Sequence, residues 1–314
     1  MMTEAIDLWE KPQAKEMYMI TGWRQWADAG KVSSALPNYL IKSMKARQIG
    51  RIIPAGFYLY QVPGTHDLLR PTVNFKEGFP VYLESQKNDF YYSGNDERGF
   101  VVFLGDEPHM DIERYCSAIL SAAQVLNVRR IVGMGGVYGE LPYDKERMIS
   151  CIYSLAFMKE EMSHFSVTLS DYHGGASIES VLCRRAGERN IEFVGLYAFV
   201  PFYNLSALDE KVSSIQVESD FTAWLGIMQR IKHMLKMDVD LADLEQNSRE
   251  LTTLIDKKVS EVESNHPGLK LREYLKRLSD GFNEQPFNPL DEIWEDELQR
   301  LLRKMDSDEP ADTH

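Results

Sequence analysis

The chain has 314 residues and a formal net charge of −13, with 48 acidic side chains against 35 Lys and Arg. An acidic surface repels phosphate backbones, so this balance disfavours nucleic acid and anionic membranes as partners. Three scattered cysteines and scattered histidines indicate neither a disulfide framework, nor a metal site, nor a cofactor. The sequence shows no apolar signal segment and no run of transmembrane length, so we expect a cytoplasmic protein.

Short apolar runs alternate with amphipathic stretches through the first two thirds of the chain. These runs predict strands at Met17–Trp23, Arg51–Tyr60, Phe79–Glu84, Phe90–Tyr92, Phe100–Leu104, Arg130–Met134, Ile149–Tyr153, Ser166–Leu169 and Ile191–Val200. The 3.6-residue spacing predicts helices at Val32–Met44, Asp111–Leu126, Leu155–Met162 and Ala176–Glu188. The alternation predicts an α/β fold, with helices on both faces of a sheet.

The pattern changes after Leu205, where the apolar residues follow helical spacing only. We therefore predict an α/β core domain over residues 1–205, a C-terminal α-helical extension over 206–306 and a disordered polar tail over 307–314. The extension either packs on the core or forms a subunit or partner interface. Candidate interface residues on its apolar stripe and heptad-like seam are Phe221, Trp224, Leu251 and Ile255.

Four glycines lie within seven residues in GMGGVYG (133–139), directly after a predicted strand. A dinucleotide-binding loop needs a helix that starts at its glycines, and here the segment ELPYDK intervenes. We therefore interpret this cluster as a sharp turn after a buried strand. Two further glycine-bearing stretches, WADAG (26–30) and DYHGGAS (171–177), precede predicted helices. Asp28 is predicted to cap a helix, and Gly30 to allow close backbone approach.

These three stretches could meet around a ligand at one edge of the sheet, with Ser177 as either a helix cap or an anion contact. His173 is a candidate general base oriented by Asp171, although this pattern assigns no catalytic residue. The candidate ligand-binding residues are Trp26, Asp28, Gly30, Gly135, Gly136, Tyr138, His173, Gly174, Gly175 and Ser177.

Taken in order, GWRQWADAG (22–30), Phe103–Lys145 and Asp171–Asn204 resemble the proteasome assembly chaperone 2 family, in its bacterial and archaeal branch. The resemblance implies a three-layer α/β/α sandwich related to nucleoside phosphorylases and peptidyl hydrolases. It also implies self-association. Eukaryotic and archaeal members chaperone proteasome assembly and are not enzymes. Those that dock on the proteasome ring use a C-terminal hydrophobic-Tyr-X tail, whereas this chain ends Asp312-Thr313-His314.

Two hypotheses follow from these patterns. The first is a non-enzymatic, self-associating protein of the assembly-chaperone type, which binds an unidentified protein and forms a homo-oligomer, with a trimer as the expected size. The second is a phosphorylase- or hydrolase-like enzyme that binds a phosphate- or nucleoside-containing small molecule at the glycine-rich stretches.

Overall fold

A computed structural model of the chain describes residues 5–24, 26–61, 70–84, 86–207 and 212–287. Its strands are β1 (Ile6–Leu8), β2 (Glu16–Arg24), β3 (Arg47–Ile52), β4 (Thr72–Lys76), β5 (Phe79–Glu84), β6 (Asn88–Gly94), β7 (Arg98–Asp106), β8 (Val128–Gly139), β9 (Ile149–Tyr153), β10 (Thr168–Leu169), β11 (Glu192–Tyr203) and β12 (Ile215–Gln216). Its α-helices are α1 (Ala35–Ser43), α2 (Ile112–Val125), α3 (Met158–Met162), α4 (Ile178–Glu188), α5 (Phe221–Leu235), α6 (Ala242–Asn265) and α7 (Leu271–Asp280).

Ten strands form one mixed sheet in the order β1-β3-β6-β7-β2-β8-β11-β9-β10, with β12 attached to β11. Its centre consists of four parallel strands, β7, β2, β8 and β11. Helices α2 and α4 contribute to the apolar core on one face, and α1 and α5 to the core on the other. The predicted three-layer α/β/α architecture is therefore confirmed. Within the described ranges, no helix is long and apolar enough to cross a membrane.

The central strands are buried on both faces, which is why they read as continuous apolar runs in the sequence. The predicted strands Met17–Trp23 and Phe100–Leu104 lie within β2 and β7. Other predictions need correction. The run Ser166–Leu169 is strand only at Thr168–Leu169. The run Arg51–Tyr60 is strand only to Ile52, shortly before Pro54, which lacks a backbone N–H for a sheet ladder. The glycine cluster is not a turn, because β8 continues through it to Gly139.

The C-terminal helices pack directly on the sheet. Trp224 and Ile255 belong to the same buried cluster as Met134 of β8, so both are inaccessible to a partner in this fold. Phe221 and Leu251 are half-buried and pack against that cluster. The two candidate contacts Trp224 and Ile255 are thus corrected to core residues. The hydrophobic core crosses the predicted domain boundary at residues 205 and 206, and the predicted tail lies outside the described residues.

A buried ion pair joins the segment after β8 to the start of α5. Arg147 Nε donates to Asp220 Oδ2 at 2.8 Å, and neither side chain is more than 1% exposed. Arg147 Nη1 also donates to the backbone carbonyls of Tyr143 and Lys145, which folds the loop around the guanidinium. Asp220 Oδ1 accepts two backbone N–H groups of the first turn of α5. The Asp220 N–H donates to the Gly30 carbonyl, so three chain segments meet at this pair.

We predict that Asp220→Asn lowers the free energy of unfolding by about 3–5 kcal/mol, because the amide keeps the helix cap but leaves Arg147 buried without a counter-charge. Arg147→Met should cost a similar amount for the converse reason. Urea unfolding of the full chain measures both.

The double variant Arg147→Met/Asp220→Asn should lose less than the sum of the two single losses, because it leaves no unpaired charge in the interior. Lys276→Ala, which breaks the exposed pair between Lys276 and Asp280, is the matched control and should change stability by less than about 1 kcal/mol. Additive losses in the double variant would show that the two side chains act independently.

Candidate functional site

The WADAG loop joins the sheet at the place where the parallel strands end, here named the carboxyl edge. Asp28 forms an isolated parallel bridge with Gly136, whose N–H donates to the Ala27 carbonyl at 2.6 Å. Asp28 Oδ1 accepts the backbone N–H groups of Ser33 and Ser34, each at 2.9 Å, just before α1. Asp28 thus holds the N–H groups that precede α1, whereas the N-cap position of that helix is Ser34, so the predicted helix cap is corrected to a bond to the preceding turn. Burial raises the pKa of this carboxyl, against the opposing hydrogen bonds from the two serines.

Gly30 allows the close backbone approach that the sequence predicts. Its φ of +62° lies in the left-handed region, and a Cβ there would meet Asp220 Cβ at 2.7 Å. Its carbonyl accepts the N–H of Asp220 and the indole Nε1–H of Trp224 at 2.9 Å. Gly30 is therefore a packing residue between the loop and α5.

Glu107, which sequence reasoning missed, connects two of the three predicted stretches. It follows β7 directly, and its Oε1 accepts the Ile178 N–H of α4 at 3.0 Å. The backbone N–H of Trp26 is directed at the same carboxyl and lowers its pKa. Burial raises the pKa of the Glu107 carboxyl, and these two N–H groups oppose the rise. The sequence signal that could have found Glu107 is its position. An acidic residue directly after a parallel strand lies at the same edge of the sheet as the three glycine-bearing stretches.

The structure therefore brings WADAG, GMGGVYG and the end of DYHGGAS together at the carboxyl edge. Ser177 is the N-cap of α4 and its hydroxyl accepts the Ser180 N–H at 3.2 Å, which is the simpler of its two predicted roles. His173, Gly174 and Gly175 are exposed on the preceding loop, as is Asp171. The imidazole of His173 thus lies on the surface rather than among the buried groups.

A buried polar cluster lies behind this edge, between α4 and the sheet. The Tyr197 hydroxyl of β11 lies 3.1 Å from Ser177 Oγ and 3.4 Å from Ser180 Oγ. Glu179 of α4 is 2% exposed and points at the sheet. Its Oε1 has no hydrogen-bond partner among the described residues, and neither has Thr21 Oγ1. Burial raises the pKa of Glu179 well above its usual range, against an opposing hydrogen bond from Tyr197.

The glycines of β8 and β11 make the space for this cluster. A Cβ on Gly135 would lie 2.6 Å from Tyr197 Cδ1, and one on Gly195 would lie 2.6 Å from Glu179 Oε1. A Cβ on Gly133 would clash with the same carboxyl. None of these glycines has a positive φ. Their missing side chains, rather than their backbone freedom, are what the structure uses.

Each of the three stretches also places an aromatic side chain on the surface. Trp26 is 60% exposed and Tyr172 is 74% exposed, and Tyr138 at the end of β8 is exposed as well. The Tyr138 ring packs on Phe202, and its hydroxyl accepts a hydrogen bond from Gln216 Nε2 at 2.6 Å. These three residues, Trp26, Tyr138 and Tyr172, are here named the aromatic surface.

We predict that Gly133→Ala destabilises the protein by about 1–3 kcal/mol, because the added methyl group overpacks a site filled by the Glu179 carboxyl. Gly175→Ala is the matched control and should be nearly neutral, since no atom lies within 4 Å of its Cβ position. Thermal and urea unfolding measure both. Glu179→Ala should lower the free energy of unfolding less in the Gly133→Ala variant than in the wild type, because the shorter side chain makes room for the added methyl group. Equal losses in the two backgrounds would contradict this packing.

We predict that Glu179→Gln gains stability relative to the wild type as the pH rises. The unfolded chain releases the Glu179 proton above about pH 4.3, whereas the folded chain keeps it, so wild-type stability falls with rising pH. The effect stops once the pH passes the raised folded pKa. Urea unfolding between pH 5 and 8 measures the difference, which should grow by at most about 1.4 kcal/mol per pH unit.

Glu218→Gln is the control for this titration. Glu218 is exposed, and its hydrogen bond from Lys31 lowers its pKa, so its removal should produce no such gain with rising pH. A Glu179→Gln difference that stays constant over the same range would show that Glu179 is ionised in the folded protein.

Comparison with known proteins adds a family to this geometry. The fold is similar to a proteasome-assembly chaperone homologue from Mycobacterium tuberculosis (TM-score 0.66, 22% identity, 78% of this chain and 96% of that chain). It is similar to a PAC2 family protein from Streptomyces avermitilis (0.66, 20%, 80% and 99%). It is also similar to an archaeal proteasome activator from Pyrococcus furiosus (0.57, 18%, 80% and 97%). No curated protein matches the chain.

The sequence profile of the PAC2 family matches residues 22–259, which include all three glycine-bearing stretches, α5 and most of α6. The match covers more than half of the chain and agrees with the resemblance carried by those stretches. The chain belongs to the PAC2 family.

Proposed function

We propose that this chain is a non-enzymatic, protein-binding protein with an assembly-chaperone-like role, and that the aromatic surface contacts its partner. The observation that carries the proposal is the exposure of Trp26 on the WADAG loop, Tyr138 at the end of β8 and Tyr172 on the DYHGGAS loop, three segments that meet at one edge of the sheet. Exposed aromatic side chains are enriched where proteins bind proteins. The relatives from Mycobacterium tuberculosis and Pyrococcus furiosus, a proteasome-assembly chaperone homologue and a proteasome activator, support a role of this kind.

The backbone donors at the carboxyl edge support protein binding over phosphate binding. Glu107 already accepts the N–H of Ile178 at the start of α4, and Asp28 accepts the N–H groups just before α1. These are the groups that a phosphate would use at a helix N-terminus. A phosphate would have to displace a carboxylate from each position and would be repelled by the other.

The alternative remains a phosphorylase- or hydrolase-like enzyme, and the observation in its favour is the meeting of the three stretches at the carboxyl edge. Ligands of open α/β sheets bind at this edge. A thermal-shift screen of the full chain with inorganic phosphate, nucleosides and nucleotides separates the two functions, because a ligand of the native state raises the melting temperature. Our proposal expects no shift, and a saturable shift with any of these compounds would favour the enzyme.

The partner is defined here by its chemistry. It should offer apolar pockets for the aromatic rings and a basic rim, since the chain carries a net charge of −13. The proposal invokes no metal, cofactor or nucleic acid. Self-association and a cytoplasmic location stay predictions from the sequence.

We predict that Trp26→Ala and Tyr172→Ala each weaken partner binding by roughly 2 kcal/mol or more, as expected for aromatic residues at the centre of an interface. The measurement is capture of partner subunits by the full chain in its own cells, followed by titration with the purified subunits. An assembly chaperone should bind unassembled subunits and be absent from the finished complex.

Phe157→Ala is the matched control. Phe157 is 67% exposed, but it follows β9, which runs antiparallel to β11, and so lies at the opposite edge of the sheet. Its removal should leave capture unchanged. Equal losses from all three variants, or no loss from Trp26→Ala and Tyr172→Ala, would count against the aromatic surface as the contact.

A further inference from the structure

The hairpin of β4 and β5 stands apart from the rest of the fold. Its two strands form a separate sheet, and every residue of both strands is exposed. An isolated two-stranded hairpin is marginally stable at best in water, and three or more strands with an apolar face are needed. The hairpin therefore has the composition and the geometry of a unit that other strands complete.

The register of the hairpin separates its two faces. Val73 lies opposite Leu83, and Phe75 lies opposite Pro80. The register shifts between Asn74 and Phe75, where Val81 is the extra residue of β5, and this bulge brings Pro80 to the face that carries Val73, Phe75 and Leu83. Phe75 and Leu83 are 58% and 61% exposed. The other face carries the remaining pairs, each of which holds one or two polar residues: Thr72 with Glu84, Asn74 with Tyr82 and Lys76 with Phe79. Phe79 and Tyr82 are exposed there as well, so the face of Val73 and Phe75 is the more apolar of two uncovered faces beside the free edge of β4.

We infer that the hairpin is a self-association surface, in which β4 pairs antiparallel with β4 of a second copy of this chain about a two-fold axis at Asn74. This register pairs all five residues of the strand. It puts Val73 opposite Phe75 of the partner subunit, and Phe75 opposite Val73 of the partner subunit. Pairs of an aromatic and a β-branched side chain stabilise neighbouring strands. The two apolar faces then become one face of a four-stranded sheet.

Charge favours a second copy at this place. The whole chain carries a net charge of −13, so most of its surface repels another copy. The hairpin and its flanks hold Arg70, Lys76 and Lys87 against Glu77 and Glu84, which is close to neutral. The proposed register also places Thr72 opposite Lys76 of the partner subunit, so no like charges face each other along the paired strands.

This inference rests on the self-association that the family resemblance implies, and it names the surface. A two-fold axis closes on two copies, so it favours a dimer over the expected trimer. It is independent of the aromatic surface, because its test measures the mass of the oligomer and not the capture of a partner.

The test uses reciprocal charges in the full chain, measured by sedimentation and native mass spectrometry. Val73→Lys alone and Phe75→Glu alone should each reduce the wild-type dimer to a monomer. An equimolar mixture of the two variants should form a heterodimer. The new lysine at position 73 of one copy then lies opposite the new glutamate at position 75 of the other copy, and the second pair keeps the native Phe75 and Val73. Leu254→Lys, at an exposed position of α6, is the matched control and should stay dimeric.

A cysteine at the two-fold axis tests the register. Residues directly opposite in an antiparallel pair have Cα atoms about 4.5–5.5 Å apart, within the range that a disulfide spans. Asn74→Cys should therefore cross-link two copies when an oxidant is added, whereas Asn95→Cys, in the β6–β7 turn, should not. The native cysteines are buried and should not interfere.

The outcomes separate this inference from the proposed function. A monomeric wild type overturns self-association at the hairpin and leaves the partner-capture result of Trp26→Ala untouched. A wild-type dimer that persists in Val73→Lys and Phe75→Glu overturns the hairpin as its interface. Two monomeric variants that fail to associate when mixed overturn the two-fold register at Asn74.

Discussion

The buried pair between Arg147 and Asp220 is the constraint on which the layered structure depends. Two unit charges in an apolar interior are stabilised by their mutual attraction and by hydrogen bonds to the rest of each group. Arg147 Nη1 donates to two loop carbonyls, although Arg147 Nη2 has no hydrogen-bond partner among the described residues. Asp220 accepts N–H groups from the first turn of α5 and donates its own N–H to the Gly30 carbonyl. The geometry that stabilises the charges also fixes α5 on the sheet. The ion pair thus fixes the start of α5 at the place where the apolar side chains of the C-terminal helices join the core.

At the carboxyl edge, single carboxylates likewise accept hydrogen bonds from the backbone. Asp28 and Glu107 each accept backbone N–H groups that precede or begin a helix. Glu179 differs, because it is buried with an oxygen that has no partner among the described residues. The cost of burying it charged is what keeps its proton on. The glycines opposite it, Gly133 and Gly195, provide the space that makes such burial possible.

The sequence predicts the layers well and the site less well, for a physical reason. Apolar runs reveal the central strands because those strands are buried on both faces. Local spacing places Asp28 next to the start of α1, where it accepts the N–H groups of Ser33 and Ser34. Gly133 and Gly135 are misread as a turn because their neighbours, Glu179 and Tyr197, come from distant elements. Glu107 escapes detection for the same reason, since its partners Trp26 and Ile178 lie far away in the chain.

The two exposed apolar surfaces share one edge of the molecule. The chain leaves β3 and enters β6 where β7 ends, so the hairpin projects from the carboxyl edge that also carries Trp26 and Tyr138. Pairing of two hairpins at Asn74 would then place two aromatic surfaces in one assembly. A partner with repeated subunits could engage both at once, and the second contact would form at a high effective concentration.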